Sequence, residues 1–397
     1  MAVNSLQETP MGERVHIGIF GAANSGKSSL VNALSGQDIA LVSSVAGTTT
    51  DPVYKPMELL PVGPVVFIDT AGFDDTGTLG NIRVNKTREV LDKIDVAVLV
   101  FSAGRSDIQE ELRWMKELSA RKVKTICVFN KSDLSANIPD ELKALSPLPV
   151  SAVNNTGIEE LKKRLIEIIG RDTELSSITG HLVNAGDSVL LVAPQDIQAP
   201  KGRLILPQVQ TIRDLLDLKA LVTVVTTDQM VPALSALKHP PKLIIADSQV
   251  FPFVYENKPE QSMLTSFSVL MARYKGDIHT YLEGVKAVDR LKETDRVLIL
   301  EACTHNPLDG DIGRKKIPAL LRKRVGKGLQ IDVISGPVLP ENLSAYSLAV
   351  QCGACMFNRR YVLSRISRLV SAGVSVTNYG ILLAKLSGIL DKIDCGV

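Results

Sequence analysis

The amino-acid sequence predicts an α/β protein of three domains, in which a mostly parallel, doubly wound sheet is followed by two smaller α/β units. Its 397 residues exceed what one hydrophobic core usually organises. Short apolar runs alternate with amphipathic stretches, which is typical of parallel strands covered by helices. Polar segments at Gly170–Gly180 and Phe251–Ser262 interrupt this rhythm. We therefore expect domains at residues 1–170, 181–261 and 263–397.

The first domain is predicted from four buried strands and a closing helix. The strands are expected at Val15–Phe20, Val65–Ile68, Val96–Phe101 and Thr125–Phe129, and the helix at Ile158–Ile169. None of these apolar runs is long enough to cross a bilayer.

The second and third domains repeat the α/β pattern on a smaller scale. A unit of roughly 75 residues is marginally stable alone, so we expect the second domain to pair with a copy of itself as a dimerisation domain. Its predicted elements are Ser188–Val192, Gln208–Leu218, Leu221–Thr226, Gln229–Leu237 and Lys242–Ala246. Those of the third domain are strands Arg296–Ala302 and Leu329–Ser335 and helices Ile278–Leu291, Ile317–Val325, Leu343–Val350 and Tyr361–Ala372.

Composition excludes some classes of protein. With 45% apolar residues, 22% charged residues and a net charge of +2, the chain has no bulk charge that favours nucleic acid or a membrane surface. The polar start Met1–Arg14 lacks the apolar core of a signal peptide, so we expect a soluble, cytoplasmic protein without a membrane partner. Five cysteines are too few for a disulfide framework and point to metal ligands or buried thiols.

The segment Gly21–Ser28, which reads GAANSGKS, has the pattern of a phosphate-binding loop between a strand and a helix. Its glycines let backbone N–H groups surround phosphates at a helix N-terminus. Lys27 is expected to pair with the β- and γ-phosphates, and the Ser28 hydroxyl to bind Mg²⁺. This motif alone leaves ATPases and kinases open. The expected nucleotide contacts are Asn24, Ser25, Gly26, Lys27, Ser28 and Ser29.

A second motif, Asp69-Thr70-Ala71-Gly72, follows the next predicted strand. It places the Asp69 carboxylate at the strand's carboxyl end, where it can bind Mg²⁺. The Gly72 amide can contact the γ-phosphate. A turn after a strand would explain either motif alone, but it does not explain several such motifs in this order.

Two further motifs specify the base. Asn130, Lys131 and Asp133 follow another predicted strand, and a carboxylate there can accept two hydrogen bonds from the guanine edge while rejecting adenine. Ser151 and Ala152 supply the backbone contact expected at the base oxygen. The four motifs together predict a GTP-binding GTPase domain.

These motifs resemble the translation-factor-like branch of GTPases, and Asn24 with Gly47–Asp51 is similar to the tRNA-modification GTPases within it. The resemblance implies that Asn24 helps to hold K⁺ in place of an arginine finger. It also implies that Thr49 binds Mg²⁺, with either neighbouring threonine as the alternative. Phe73 stands where many GTPases carry the glutamine that orients water. We therefore expect slow, K⁺-stimulated conversion of GTP to GDP and phosphate.

The third domain contains a cysteine constellation. Cys303-x-His305 follows a predicted strand, and Cys352-x-x-Cys355 comes later in the chain. Three thiolates suit a soft metal centre, and iron–sulfur fits better than zinc because a closed zinc site would need a clear fourth Cys or His. A redox Cys-x-x-Cys motif is the alternative, which has less support because no strand is predicted before Cys352.

The GTPase head, the middle domain and this cysteine tail together resemble the [FeFe]-hydrogenase maturation GTPases over essentially the whole chain. The resemblance implies a [4Fe–4S] cluster on Cys303, Cys352 and Cys355. It also implies a homodimeric scaffold and carrier that is loaded by two radical-SAM maturases with a di-iron precursor. The carrier would then deliver this precursor to apo-[FeFe]-hydrogenase for assembly of the H-cluster.

The fourth iron ligand stays open. Many members of that family carry a histidine just before the Cys-x-x-Cys, where this chain has Gln351. His305, Asp309 and Asp311 are candidates, with exchangeable water as another. A weakly held nitrogen or oxygen ligand could leave and open one iron to an incoming precursor.

Two other functions remain as hypotheses. A K⁺-dependent GTPase acting on tRNA or the ribosome would share the head motifs, but no basic or aromatic RNA-binding module is evident in residues 171–397. An iron–sulfur redox sensor coupled to the nucleotide would require redox change to alter GTP hydrolysis. Neither hypothesis explains the combination of a GTPase domain with the cysteine motifs of the third domain as directly as the resemblance to the hydrogenase maturation GTPases does.

Overall fold

A computed structural model describes most of the chain in two compact units, one within residues 1–175 and the other within 176–397. Six residues predicted above for the site or its switch lie outside the described part: Thr49, Phe73, Cys303, His305, Asp309 and Asp311. The described residues are 9–36, 52–72, 78–135, 137–170, 177–180, 182–193, 204–302 and 312–396.

The first unit contains a six-stranded sheet with helices on both faces. Its strands are β1 Val15–Gly21, β2 Val53–Leu59, β3 Gly63–Asp69, β4 Val96–Ser102, β5 Lys124–Asn130 and β6 Leu148–Pro149. Its helices are α1 Lys27–Ser35, α2 Thr78–Leu91, α3 Gln109–Ala120, α4 Asp140–Lys143 and α5 Ile158–Gly170. The strand order is β2-β3-β1-β4-β5-β6, and only the β2–β3 pair is antiparallel. The predicted strands and closing helix of this domain are confirmed.

Two apolar layers hold this sheet, one on each face. Ile17 and Ile19 of β1 pack with α1 and α5, whereas Phe20 packs with Trp114 of α3 at a ring-centroid distance of 5.7 Å. Because β1 and β4 are buried on both faces, nearly every residue in them is apolar. Because β1, β3 and β5 run parallel, their carboxyl ends lie at one edge of the sheet, where polar side chains can converge.

The second unit begins with a four-stranded parallel sheet in the order β10-β9-β7-β8. Its strands are β7 Ser188–Val192, β8 Leu221–Val225, β9 Leu243–Ala246 and β10 Met263–Ser266. Its helices are α6 Leu206–Asp217, α7 Met230–Ala236, α8 Phe251–Asn257 and α9 Phe267–Lys275. The stretch predicted as a boundary contains α8, whose Phe251 is fully buried. The strand that follows completes this sheet.

A second parallel sheet in the same unit has the order β12-β11-β13-β14. Its strands are β11 Arg296–Glu301, β12 Gln330–Ser335, β13 Leu348–Gln351 and β14 Ser375–Asn378. Its helices are α10 Ile278–Val285, α11 Ile317–Val325, α12 Arg359–Ser371 and α13 Tyr379–Leu386. One continuous core joins residues of both sheets of this unit. The predicted α/β class with mostly parallel sheets is confirmed.

The prediction of a helix at Leu343–Val350 is wrong. A single 3₁₀ turn occupies Leu343–Ala345, and the chain then enters β13, which pairs with β11 and β14. Leu348 and Val350 are fully buried because a central parallel strand is covered on both faces. A short apolar run of this kind has no periodicity that separates strand from helix. Among the helices within the described ranges, none combines the length and apolarity needed to cross a membrane.

Candidate functional site

The phosphate loop, Gly21–Ser28, connects β1 to α1 in the first unit. Gly26 has φ of +90°, and a Cβ atom there would lie 2.3 Å from Nδ2 of Asn130, so only glycine fits. Lys27 is 7% exposed, and its ammonium donates to the carbonyls of Gly21 at 3.0 Å and Ala22 at 2.7 Å. The loop thus holds a cation, and its pairing with the β- and γ-phosphates stays a prediction.

The two predicted Mg²⁺ ligands lie side by side. Ser28 Oγ donates to Oδ2 of Asp69 at 2.6 Å, and Oδ1 of this buried carboxylate has no hydrogen-bond partner in the described part of the chain. Burial raises the pKa of Asp69, while the Ser28 hydroxyl and the charges of Lys27 and Lys55 lower it. A hydroxyl and a carboxylate oxygen with an open acceptor fit the oxygen ligands that Mg²⁺ prefers.

Asn130 at the end of β5 braces the phosphate loop. Its Nδ2 donates to the Ser25 carbonyl at 2.9 Å, and its Oδ1 accepts from the Ala152 amide at 3.3 Å. Lys131 next to it has φ of +61° and donates to the Asn24 carbonyl at 2.7 Å. The residues predicted for the base therefore also fix the loop predicted for the phosphates.

The turn after β5 presents the carboxylate predicted to recognise guanine. Asp133 is exposed in this turn, which is tied to the next segment by a hydrogen bond from the Ser132 amide to the Val150 carbonyl at 3.0 Å. Ser151 follows and forms a small antiparallel bridge with Thr156. The four backbone segments predicted to contact nucleotide thus lie at the carboxyl edge of one sheet, where doubly wound folds bind ligands.

Gly72 shows how closely two of these segments approach. A Cβ atom at Gly72 would lie 2.6 Å from the backbone nitrogen of Ala23 in the phosphate loop. Nearby, the Thr70 hydroxyl donates to the Ile19 carbonyl at 2.7 Å and fixes the start of this segment against β1. The predicted position of the Gly72 amide beside the phosphates is consistent with this contact.

The cysteine turn, residues 352–358, follows β13 in the second unit. Cys352 donates its amide to the Leu300 carbonyl at 3.0 Å, so it lies beside the end of β11. Its Sγ accepts from the amides of Ala302 at 3.1 Å and Ala354 at 3.4 Å. Backbone donors aimed at a sulfur are an arrangement that supports a metal-bound thiolate.

The prediction that no strand precedes Cys352 is wrong, because strand β13 directly precedes it. The thiol itself is unlike that of a redox motif. Burial raises the pKa of the Cys352 thiol to about 11, despite the lowering effects of the two backbone amides and of Arg365. The next helix begins only at Arg359, so its N-terminus is not at the first cysteine. Reactive Cys-x-x-Cys thiols have a lowered pKa, and this one does not.

Buried polar side chains contact the cysteine turn and the strand before it. Lys275 is 2% exposed, and its ammonium donates to the carbonyls of Cys355 at 3.2 Å and Phe357 at 2.9 Å. Gln351 is buried, and its Oε1 accepts a hydrogen bond from the Tyr281 hydroxyl at 2.6 Å. Gln351 therefore has a structural partner within the fold.

Within the described ranges, no group of three or more His, Cys, Asp or Glu side chains is assembled for a metal ion. The structure brings Cys352 and Cys355 together in one turn. Cys303 follows Ala302, the residue whose amide contacts Cys352 Sγ. Cys303 itself and the candidate fourth ligands His305, Asp309 and Asp311 lie outside these ranges.

Sequence reasoning missed Lys275, Tyr281 and Arg365. The Lys275 contacts span 80 and 82 residues of sequence, and the Tyr281 contact spans 70. No local motif signals such distant pairs. The three residues lie on α9, α10 and α12, and the packing of these helices brings them to the cysteine turn.

Three family models match consecutive parts of the chain. A 50S ribosome-binding GTPase model matches residues 16–131, a hydrogen maturase F dimerization domain matches 178–276, and a hydrogen maturase F tetramerization domain matches 279–393. The two maturase models together span more than half of the chain. This order agrees with the three-domain α/β organisation predicted from the sequence.

Similar proteins match the first domain. The tRNA modification GTPase MnmE of Chromobacterium violaceum is 36% identical over 161 residues, which are 40% of this chain and 35% of that protein. MnmE of Aquifex aeolicus is 35% identical over 41% of this chain and 36% of its own length. GTPase Der of Wolinella succinogenes is 33% identical over 42% and 38%, respectively. The chain thus spans little more than a third of these relatives.

Solved structures are also similar in part. A single-residue variant of Era of Aquifex aeolicus bound to GDP·AlF4⁻ is 18% identical, covers 56% of this chain and 98% of its own, and has a TM-score of 0.35. The G domain of FeoB of T. maritima is 24% identical over 39% of this chain and 99% of its own, with a TM-score of 0.31.

The matches to two successive maturase domains distinguish this chain from the tRNA modification GTPases, which it resembles over the first domain. The chain belongs to the hydrogen maturase F family and carries a G domain similar to that of the tRNA modification GTPases.

Proposed function

We propose that this chain is a GTP-binding and GTP-hydrolysing scaffold that holds a [4Fe–4S] cluster and a di-iron precursor and delivers the precursor to apo-[FeFe]-hydrogenase. The single observation that carries the proposal is the match of two hydrogen maturase F domains behind a GTPase domain. The same matches remove support from a role on tRNA or the ribosome. Two radical-SAM maturases would load the scaffold, which we place in the cytoplasm.

The nucleotide part of the proposal is supported by the carboxyl edge of the first sheet. Lys27, whose ammonium lies within the loop, would pair with phosphate oxygens, and the adjacent oxygens of Ser28 and Asp69 would hold Mg²⁺. Mg²⁺ would there supply positive charge to the β- and γ-phosphates. Asp133, exposed in the turn braced by Asn130, would accept the guanine N–H groups. Thr49 is proposed as the further Mg²⁺ ligand.

The hydrolytic step is proposed to be slow and stimulated by K⁺. Asn24 has φ of +59°, which is in the left-handed region, and it belongs to the loop that we propose surrounds the phosphates. Because Ala is strained there and Gly is not, Asn24→Gly removes the amide while keeping the backbone. We expect wild type to hydrolyse GTP faster in K⁺ than in Na⁺, and Asn24→Gly to lose this difference. Equal wild-type rates in both salts contradict the K⁺ site.

The cluster part of the proposal is supported by the cysteine turn. Cys352 and Cys355 share one turn, and the amide of Ala302, which precedes Cys303, donates to Cys352 Sγ. Three thiolates would hold three irons firmly. The fourth ligand, proposed among His305, Asp309, Asp311 and water, would be exchangeable and leave one iron for the precursor. Self-association as a homodimer is proposed through the middle domain, as its family match suggests.

Anaerobic reconstitution with iron and sulfide tests the cluster. We expect about four irons per wild-type chain, with the absorption and EPR spectra of a [4Fe–4S] cluster. Cys303→Ala and Cys352→Ala should each lower the iron content. Cys127→Ala is the matched control, because Cys127 is buried in β5 of the first unit and should not affect iron. Fewer than about three irons in wild type, unaffected by Cys303→Ala, overturns the proposal.

A further inference from the structure

Arg365 is a buried arginine beside the cysteine turn. It lies in α12, is 3% exposed, and donates from Nη1 to the Gly336 carbonyl at 3.2 Å. Its guanidinium carbon lies 5.3 Å from the ring centre of Phe357 and 5.9 Å from that of Tyr361. Phe357 belongs to the cysteine turn, so these contacts fix the guanidinium against that turn.

The other edge of the guanidinium has no acceptor. Nε and Nη2 are both buried and make no hydrogen bond within the described ranges. These two atoms lie on one edge of the planar group and form the fork that binds an anion with two parallel bonds. Leaving a buried donor without a partner costs stability, and the cost is larger when the donor is charged. Packing against two rings does not relieve this cost, so an acceptor is needed.

The location of Arg365 indicates which acceptor. Arg365 lines a small cavity at the carboxyl ends of β11 and β13 together with Ala302, Gln351 and Cys352, and the remaining lining residues are apolar. The Arg365 and Cys352 side chains therefore border the same small space. No ion pair of Arg365 is formed within the described part of the chain.

An anionic sulfur satisfies all of these conditions. Burial lowers the pKa of Arg365, yet a guanidinium stays charged in proteins, so the cavity contains a permanent positive charge. The Gln351 oxygen already accepts from the Tyr281 hydroxyl. Cys352 Sγ receives two backbone N–H groups, an arrangement that supports a metal-bound thiolate.

We propose that the Nε–Nη2 edge of Arg365 donates hydrogen bonds to anionic sulfur, thiolate or sulfide, of the iron–sulfur cluster held on Cys352. This inference rests on the cluster of the proposed function. Arg365 is then a positioning residue that tunes the cluster. Because the reduced cluster carries one more negative charge, a fixed cation and two N–H donors stabilise it and raise its reduction potential.

The test compares reconstituted wild type, Arg365→Met and Arg365→Lys by EPR-monitored redox titration and iron analysis. Met keeps the apolar packing and removes the donors, whereas Lys keeps the charge and loses the fork. At the wild-type midpoint, we expect the ratio of reduced to oxidised cluster to fall about tenfold in Arg365→Met, which is about 59 mV for one electron. Lys should restore part of this loss, with iron content unchanged in both variants.

Arg368→Met is the matched control, because Arg368 lies on the same helix but is exposed. Its cluster should titrate as wild type does. If Arg365→Met binds full iron and keeps the wild-type potential, the Arg365 inference is wrong while the cluster proposal stands. A variant that loses its near-ultraviolet circular dichroism is replaced by Arg365→Gln, which is subject to the same criterion.

A second measurement separates the two proposals if wild type takes up no iron. That result removes the cluster from the proposed function. In metal-free protein, the ¹⁵N signal of Arg365 Nε, identified by its loss in Arg365→Met, is followed during titration with thiocyanate. Saturable movement of this signal supports an anion site at the Nε–Nη2 edge. No movement, with no iron bound, overturns the inference as well.

Discussion

Gly26→Ala tests the bracing of the phosphate loop. Gly26 has φ of +90°, where a side chain costs about 1 kcal/mol. A new Cβ would also meet Asn130 Nδ2 at 2.3 Å and displace it from the Ser25 carbonyl, which is a loss of about 1–2 kcal/mol. Gly36→Ala is the matched control at the other end of α1, because Gly36 has φ of +66° and nothing within 4 Å of its Cβ position.

The two substitutions share the backbone strain and differ in the displaced Asn130. If nucleotide binding must restore the loop, the loss of about 1–2 kcal/mol weakens nucleotide affinity by about fivefold to thirtyfold. Titration with a fluorescent GDP analogue in Mg²⁺ measures it. In the double variant Gly26→Ala/Asn130→Ala there is no Asn130 amide to displace. Its loss of binding free energy should therefore not exceed the loss in Asn130→Ala added to the loss that backbone strain causes in Gly36→Ala. Equal affinity of Gly26→Ala and Gly36→Ala refutes the bracing.

Three further substitutions have defined outcomes. Burial raises the pKa of Asp69, so the contribution of this carboxyl group to stability falls as pH rises through that pKa. Asp69→Asn should therefore raise the melting temperature of the Mg²⁺-free protein at pH 7, by about 2–4 °C for each kcal/mol of burial cost that it relieves. An unchanged or lower melting temperature contradicts this. Lys275→Met should cost about 1–3 kcal/mol in thermal unfolding and speed iron loss from the reconstituted protein, because two turn carbonyls lose a charged donor. Tyr281→Phe leaves the buried Gln351 oxygen without its donor and should lower the free energy of unfolding by about 1–3 kcal/mol. The double variant Tyr281→Phe/Gln351→Leu should recover part of that stability. Equal losses of stability in the single and double variants would argue against this hydrogen bond.

The nucleotide site was predictable from sequence because its chemistry is local. The phosphate loop must follow a strand, open a helix and contain glycine where the backbone turns left-handed, and these demands leave a recognisable pattern. Each later motif follows a predicted strand, and the carboxyl ends of parallel strands lie at the same edge of a sheet. The sequence therefore predicted that the motifs lie close together at that edge. What the pattern did not contain is the tie from Asn130 to Ser25, which joins two motifs across 105 residues.

The strand before the cysteine turn was not predictable in the same way. Leu348–Gln351 is four residues long and apolar up to its last residue, so neither the strand period nor the helix period can be read from it. Its conformation is decided by β11 and β14, which pair with it on either side. The helix α8 inside the expected boundary has the same origin, since Phe251 is buried by the sheet next to it.

The sequence by itself determined the fold class, the three-part order and the residues of the nucleotide motifs, because these depend on spacing along the chain. It also determined which cysteines are candidates for iron. Only the tertiary structure decided what surrounds them: the buried Lys275 ammonium, the Tyr281 hydroxyl on Gln351 and the open edge of Arg365. The physical reason is that burial and the lack of an acceptor are properties of packing, which sequence neighbours do not set.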